Sequence, residues 1–511
     1  MDRRTWLKLA ASTAVTAAFP VPAFSQGNPP PAPFSEDWLD GFARELGDRP
    51  YKPFEKRVDP ALANLPFDQY NSAILFKEDQ GIWRPDGVPF WIEPRHTAGP
   101  YYSYPINLFT VEGAQAFKIP YSADAFEFKA PASRPQTPAQ SDFAGFRAFG
   151  QLERPNVFKE FLSFLGGTNF HAIGSGQVPG VSARAFAINT GQAGGEDFPL
   201  FRSFWLQKPK PTENSFTIYS LFDSQNAAGW LKFVVTPGWS TVIDTEAAIY
   251  PRRRIPYAGI APIASRFFFG PGTPPKRRDY RPRAHDSEAL YIVNGAGEQI
   301  WRPLLNPERL QFSIFVDKKP KGFGLVQKER YFASYQDADE QYEKKPTLWI
   351  EPLDGNIWNE GSIDLIELPA SEEKNENIVC FWRPKDGLGP GIGHRFRYRM
   401  HWCWNPPLEN KQAVVTQTRV GEAKSGENAF IVDFYTGDGC PACGGAPLAP
   451  VVTASAGEVR NIRLAPLQAM GGTQRLKFDF VPSGSDPIDL RAQLTANGKP
   501  VSDTWIFRWG R

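Results

Sequence analysis

Proline and glycine are spread so densely through this chain, 49 and 44 of 511 residues, that long helices are excluded from most of it. Proline removes a backbone donor and clashes with the preceding turn, and an interior glycine costs a helix about 1 kcal/mol. Between these breaks lie short apolar or alternating runs: "FTIYSLF" (216–222), "LKFVVTPG" (231–238), "STVIDTEAAIY" (240–250), "LQFSIFV" (310–316) and "SIDLIEL" (362–368). Bounded by Gly, Pro, Asn and Asp, they read as strands of an all-β sandwich or barrel. Two segments carry helical spacing instead. "SEDWLDGFAREL" (35–46) opens on Ser35 as a cap with Asp37 in the first turn. "NVFKEFLSFLGG" (156–167) predicts a second helix, stopped by Gly166 and Gly167.

At this length one core is not enough. A boundary falls in "WNPPLENKQ" (404–412), beyond which about a hundred residues resume the strand pattern. The expected division is a large β domain over 27–403 and a small one over 413–511, of a length that suits an immunoglobulin-like sandwich.

The first residues, "MDRRTWLKLAASTAVTAAFPVPAFSQG", pair Arg3 with Arg4 ahead of a short, Ala-rich apolar segment. Ala23-Phe24-Ser25 sets small residues where a signal peptidase reads. The expectation is a twin-arginine export signal over 1–25, removed on the way to the periplasm. A Pro-rich linker, "NPPPAPF", follows. No later stretch reaches the roughly 18–20 apolar residues of a membrane span.

Lys plus Arg number 57 against 55 Asp plus Glu, a formal charge of +2. That excludes the one-sided basic field of a nucleic-acid binder and points to a neutral or small ligand. Five histidines in no HExxH-like spacing disfavour a metalloenzyme. The absence of a GxSxG elbow, a Walker loop and a GxGxxG turn removes triad, phosphate and dinucleotide chemistry, so no cofactor or metal is expected. Cys440 and Cys443 have CxxC spacing in a Gly/Pro loop with no following helix, which favours a local disulfide over redox catalysis. Cys380 and Cys403 fall in apolar runs and read as core.

What remains is 14% aromatic residues, 15 of them Trp, among scattered Asp, Glu, Asn and Arg. Flat rings on sugar faces with fixed polar groups at hydroxyls are how proteins hold neutral saccharides, although sandwich cores use aromatics too. Two carboxylates stand out. Asp286 lies in "RDYRPRAHDSEAL" (278–290), where an Asx-type turn is the plain alternative. Glu376 lies in "LPASEEKNENIVCFW" (368–382), at the mouth of an apolar strand and just after Glu372 and Glu373, which read as solvated turn charges. Glycoside hydrolysis needs such a pair, one protonated and one ionised.

Longer blocks carry a family resemblance: "FLGGTNFHAIGSGQVPGVSARAFAINT" (164–190), "GGEDFPLFRSFWLQKP" (194–209), "GIAPIASRFFFG" (259–270), "YRPRAHDSEAL" (280–290), "IWRPLLNP" (300–307), "GFGLVQKERYFASYQDADEQYEKKPTLWIEP" (322–352) and "LPASEEKNENIVCFW" (368–382). In this order the chain resembles the periplasmic glucan biosynthesis (OpgG/OpgD) family over most of 60–400. The resemblance implies a large N-terminal sandwich of galactose-mutarotase-like type, a small immunoglobulin-like one, and a cleft for a β-1,2-linked glucan. It allows a homodimer, which no sequence feature demands.

Some members of that family resemble inverting endo-β-1,2-glucanases. Their general acid is the Asp of an "NDNIV" motif, which maps onto Glu376, and a second essential Asp, in "HDS", maps onto Asp286. Here Glu replaces Asp, carrying the carboxyl outward by one methylene, and a ~1 Å misplacement can cost on the order of a hundredfold in rate. Pro179 and Asn189 also depart from the more usual "GQVYG" and "AIDT". Hydrolysis, glycosyl transfer and binding alone are therefore all open. Arg184, Tyr342, Trp349, Trp301, His285 and Asn375 are the candidate sugar contacts, a structural role being the competing reading for the first four.

Overall fold

The computed structural model describes residues 30–510 except 277, 410, 411, 425, 438–440, 485 and 486. The expected export signal over 1–25 and Cys440 lie outside the described residues; Cys443 is disulfide-bonded. The chain is nearly all β.

The first predicted helix is present as Glu36–Asp48, with Ser35 Oγ accepting from Trp38 N at 3.1 Å. It buries Leu39 and Ala43 in a cluster with Trp205, Trp230 and Tyr250, and Trp230 Nε1 donates to Asp40 at 2.8 Å.

The five runs singled out in sequence are strands Phe216–Asp223, Ala227–Thr236, Thr241–Pro251, Gln311–Asp317 and Gly361–Glu367. The first three belong to a sixteen-stranded sheet and the last two to a ten-stranded one. Aromatic side chains bridge the two sheets: Phe233 of the larger lies 5.2 Å from Phe170 and 5.5 Å from Phe164 of the smaller. Each ring so buried stabilises the sandwich by about 2–3 kcal/mol, and together they form the main core.

The second predicted helix is not formed. Lys159–Leu165 is a strand, paired on one side with Phe143–Gly150 and on the other with Asn169–Ala172. Phe158, Phe161 and Phe164 have the three-residue spacing of a helix, but two flanking strands satisfy the backbone of this segment. Gly166 and Gly167, at φ +85° and +88°, reverse the chain in a tight hairpin rather than capping a helix. Across that hairpin Phe164 stacks on Phe170 at 4.7 Å.

Residues after 413 form a four-stranded sheet (Val414–Glu422, Asn428–Tyr435, Glu458–Pro466, Thr473–Val481) and, beside the two-residue strand Lys499–Pro500, three further strands (Leu448–Ala454, Ile488–Ala496, Thr504–Trp509). The last three extend the sixteen-stranded sheet, because Thr504–Trp509 pairs in parallel with Gln299–Pro303. A second core joins these strands to Tyr291, Trp301 and Trp349. Cys380 and Cys403 are buried and free, as their apolar surroundings imply.

Candidate active site

Strand Ala258–Ser265 lies between Ser182–Arg184 and Ile378–Pro384 in the ten-stranded sheet, with Ala264 opposite both Ser182 and Val379. Antiparallel pairing therefore brings the start of "IVCFW" alongside Ser182 and, one strand further, Asn169. Glu376, two residues before Ile378, turns its carboxylate across this end of the sheet. Ser182 Oγ donates to Oε1 at 2.8 Å, Asn169 Nδ2 donates to Oε2 at 2.9 Å, and the Arg184 guanidinium stands 3.9 Å away. The Glu376 side chain keeps about a third of its surface (32%) open to solvent.

Asn377 fixes where that carboxylate starts. Its Oδ1 accepts from Phe267 N at 2.8 Å, and its Nδ2 donates to the carbonyls of Phe267 and Leu368. The chain thus leaves the strand in one defined direction.

Asp286 is anchored at the same end of strand Ala258–Ser265. Its backbone N–H donates to Arg266 O, one residue past strand Ala258–Ser265. The Arg266 guanidinium forks onto the carboxylate at 2.6 and 3.0 Å, and Lys345 Nζ lies 3.8 Å away. Asp286 is 1% exposed, and the Asx turn is not what holds it. Glu340 balances the two cations, accepting from Arg266 at 2.9 Å and from Lys345 at 3.1 Å. Burial alone would lower the Arg266 pKa, but Asp286 and Glu340 push it above the usual range. Burial likewise pushes the His171 imidazole down, opposed by Glu160 and Glu376.

Of the candidate sugar contacts, Arg184 is at the site. Glu196 orients it at 3.0 Å, Thr190 holds Glu196 in turn, and the exposed Phe198 ring lies 5.8 Å from the guanidinium. Tyr342 is buried near Lys345 and donates its hydroxyl to Glu373. His285 is 1% exposed and stacked on Phe267 at 5.2 Å, inside the wall rather than on its surface. Asn375 is exposed in the loop next to Glu376.

Trp301 and Trp349 need correcting. They are 3% and 1% exposed in the second core, packed on Tyr291, because inward-facing positions of the shared sheet take the largest apolar side chains. Glu373 also departs from expectation. It is not a solvated turn charge but accepts from Arg281 through both oxygens, at 2.7 and 2.6 Å. Glu372 keeps the solvated role, paired with exposed Lys374.

Asn169, Ser182, Arg266, Glu340 and Lys345 escaped the sequence reading. Only Arg266 left a local signal, a cation closing the apolar run "GIAPIAS". Among the described residues no cluster of His, Cys, Asp and Glu is arranged to hold a metal, and no helix is long and apolar enough to cross a membrane.

A β-sandwich with one accessible carboxylate, held by Ser182 and Asn169, and one buried carboxylate, clamped by Arg266, at a sheet end defines a protein with a paired-carboxylate site among fixed donors. Residues 34–509 match the family model described as "Periplasmic glucan biosynthesis protein, MdoG". The chain is 40% identical to "Glucans biosynthesis protein G" of Rhodopseudomonas palustris (strain BisA53), over the whole of both chains. It is 39% identical, also end to end, to the protein of that name in Bradyrhizobium diazoefficiens. Against the one in Shewanella sp. (strain W3-18-1) it is 38% identical, over 93% of this chain and 87% of the other. The chain belongs to the periplasmic glucan biosynthesis protein family, and a periplasmic location follows from that membership.

Proposed function

We propose that this sheet end forms a cleft that holds a β-1,2-linked glucan backbone and cuts it as an inverting endo-acting hydrolase. The observation that carries this reading is the pairing at one sheet end of the accessible Glu376, held by Ser182 and Asn169, with the buried Asp286, clamped by Arg266. Glu376 gives its proton to the glycosidic oxygen as the bond to the anomeric carbon breaks. Water adds to that carbon from the opposite face, and its proton passes to Asp286 through intervening water.

A second reading has its own support. Asp286 sits behind two cations with almost no exposed surface, which favours a protein that holds glucan without cutting it. Glycosyl transfer is the third reading. Mass spectrometry with anomeric NMR on linear β-1,2-glucan separates them. Hydrolysis yields new reducing ends of inverted configuration, transfer redistributes chain lengths, and binding alone leaves the glucan unchanged. A Glu376→Gln protein should lose product formation by about a hundredfold or more. Full activity in that variant would remove Glu376 from the mechanism.

The reading includes export by the twin-arginine route and a division into 27–403 and 413–511. An Arg3→Lys/Arg4→Lys protein should stay in the cytoplasm, and its normal appearance in the periplasm would exclude that route.

A further inference from the structure

An exposed aromatic pair lies on elements that carry neither carboxylate and is linked to Asp286 through Arg330 and Lys345. Trp239 stands at the tip of the hairpin joining Ala227–Thr236 to Thr241–Pro251 and is 70% exposed, the most exposed tryptophan among the described residues. An indole left that open forgoes much of the 1.5–3 kcal/mol or so that burying a large apolar side chain contributes. Trp404 lies beside it, ring centroids 6.3 Å apart and planes inclined by 36°, so the two faces form one bent apolar shelf.

The shelf is built rather than accidental. Trp404 Nε1 donates to Ser175 O at 3.1 Å, and Ser175 N donates to Gly238 O at 2.9 Å. The Arg330 guanidinium lies 4.8 Å from the Trp404 ring centroid and donates to the Trp404 carbonyl at 2.9 Å. Gly174 leaves the room this needs, since a Cβ there would meet Trp239 O at 2.3 Å.

Two connections tie the shelf to Asp286. Arg330 also donates to Lys345 O, and Lys345 Nζ reaches to 3.8 Å from Asp286. The loop carrying Ser175 runs on to Pro179, whose carbonyl accepts from Lys345 Nζ at 2.8 Å. Only one lysine side chain and one guanidinium bridge therefore separate the shelf from the carboxylate. In that loop Gln177 is 6% exposed, and its Nε2 has no partner among the described residues.

We infer that Trp239 and Trp404 form a distal subsite that stacks on a pyranose ring of the glucan beyond the two carboxylates. A β-linked glucose presents a face of C–H groups that a flat indole covers without desolvating its hydroxyls, which suits a half-exposed shelf better than a buried pocket. The inference rests on the glucan reading above and adds that long chains are preferred over short ones.

Isothermal titration of linear β-1,2-glucan oligosaccharides of increasing length tests it. The unsubstituted protein should gain affinity once the chain spans from Asp286 to the shelf. Trp239→Ala should lose that gain, about a five- to tenfold rise in Kd for long chains, with short chains unaffected. Trp239→Phe should recover part of it, and an unchanged melting temperature in both variants rules out a folding effect. Equal Kd values for long chains in Trp239→Ala and the unsubstituted protein would overturn the subsite while leaving the glucan reading intact. If the unsubstituted protein bound no oligomer of any length, both would fall together.

Discussion

Arg281 donates to both carboxylate oxygens of Glu373, at 2.7 and 2.6 Å, three residues before Glu376. The same guanidinium bonds Asp279 and Asp337, and Glu373 also accepts from Tyr342. Three separate loops are thus joined behind the Glu376 carboxylate by one cation. Charge-assisted, two-pronged bonds of this kind fix geometry as well as adding stability.

Arg281→Gln should therefore loosen the segment 371–376 before it unfolds the protein. The expected result is faster amide hydrogen exchange in that segment, with a stability loss of about 2–3 kcal/mol from the unpaired carboxylates. Exchange unchanged from the unsubstituted protein would show that the loop is held by other means.

The two candidate catalytic carboxylates should respond differently to neutralisation. Asp286→Asn leaves the part-buried Arg266 and buried Lys345 with only Glu340 as counter-ion, so a loss of about 2–4 kcal/mol is expected in urea unfolding. The Glu376 side chain is a third exposed, and Glu376→Gln should stay within about 1 kcal/mol. Equal losses in the two proteins would contradict the asymmetry of the site.

Arg302 and Glu367 form a pair that is 1% exposed on each side, 2.8 Å apart, linking a strand of the sixteen-stranded sheet to one of the ten-stranded sheet. Glu367 also accepts from Leu305 N at 2.7 Å. Arg302→Met alone should cost about 3–5 kcal/mol, because it strands a buried carboxylate. Adding Glu367→Gln should restore part of that loss, and strictly additive effects in the double-mutant cycle would mean the pair is not coupled.

Burial lowers the His285 pKa to about 3 and the His96 pKa to about 4. The folded protein then binds fewer protons than the unfolded chain between those values and about 6.5. Stability should fall on acidification below pH ~6.5, by up to about 1.4 kcal/mol per pH unit for each such histidine. In His285→Phe, which keeps the stack on Phe267, the slope measured between pH 6 and pH 4, both on the order of the transition, should be shallower by one histidine's share. An identical slope would mean His285 is already charged in the folded state.

Much of the fold was legible because its causes are local. Alternation in "FTIYSLF" and "SIDLIEL", the Ser35 cap and the Gly/Pro breaks each act within a few residues. The segment 156–167 misled for the same reason, since its phenylalanine spacing suits a helix until partners on both sides are known. Trp301 and Trp349 resembled sugar platforms because exposure cannot be read from residue type.

The all-β class and, through the longer blocks, the family were legible in the sequence, and Asp286 and Glu376 stood out there as candidates. Tertiary structure alone decided what surrounds them. Arg266, Lys345 and Glu340 reach Asp286, and Ser182 and Asn169 reach Glu376 across 194 and 207 residues of chain. Only the pairing of distant strands brings those side chains to one sheet end, and a hydrogen bond or ion pair depends on separation in space, which short-range pattern does not encode.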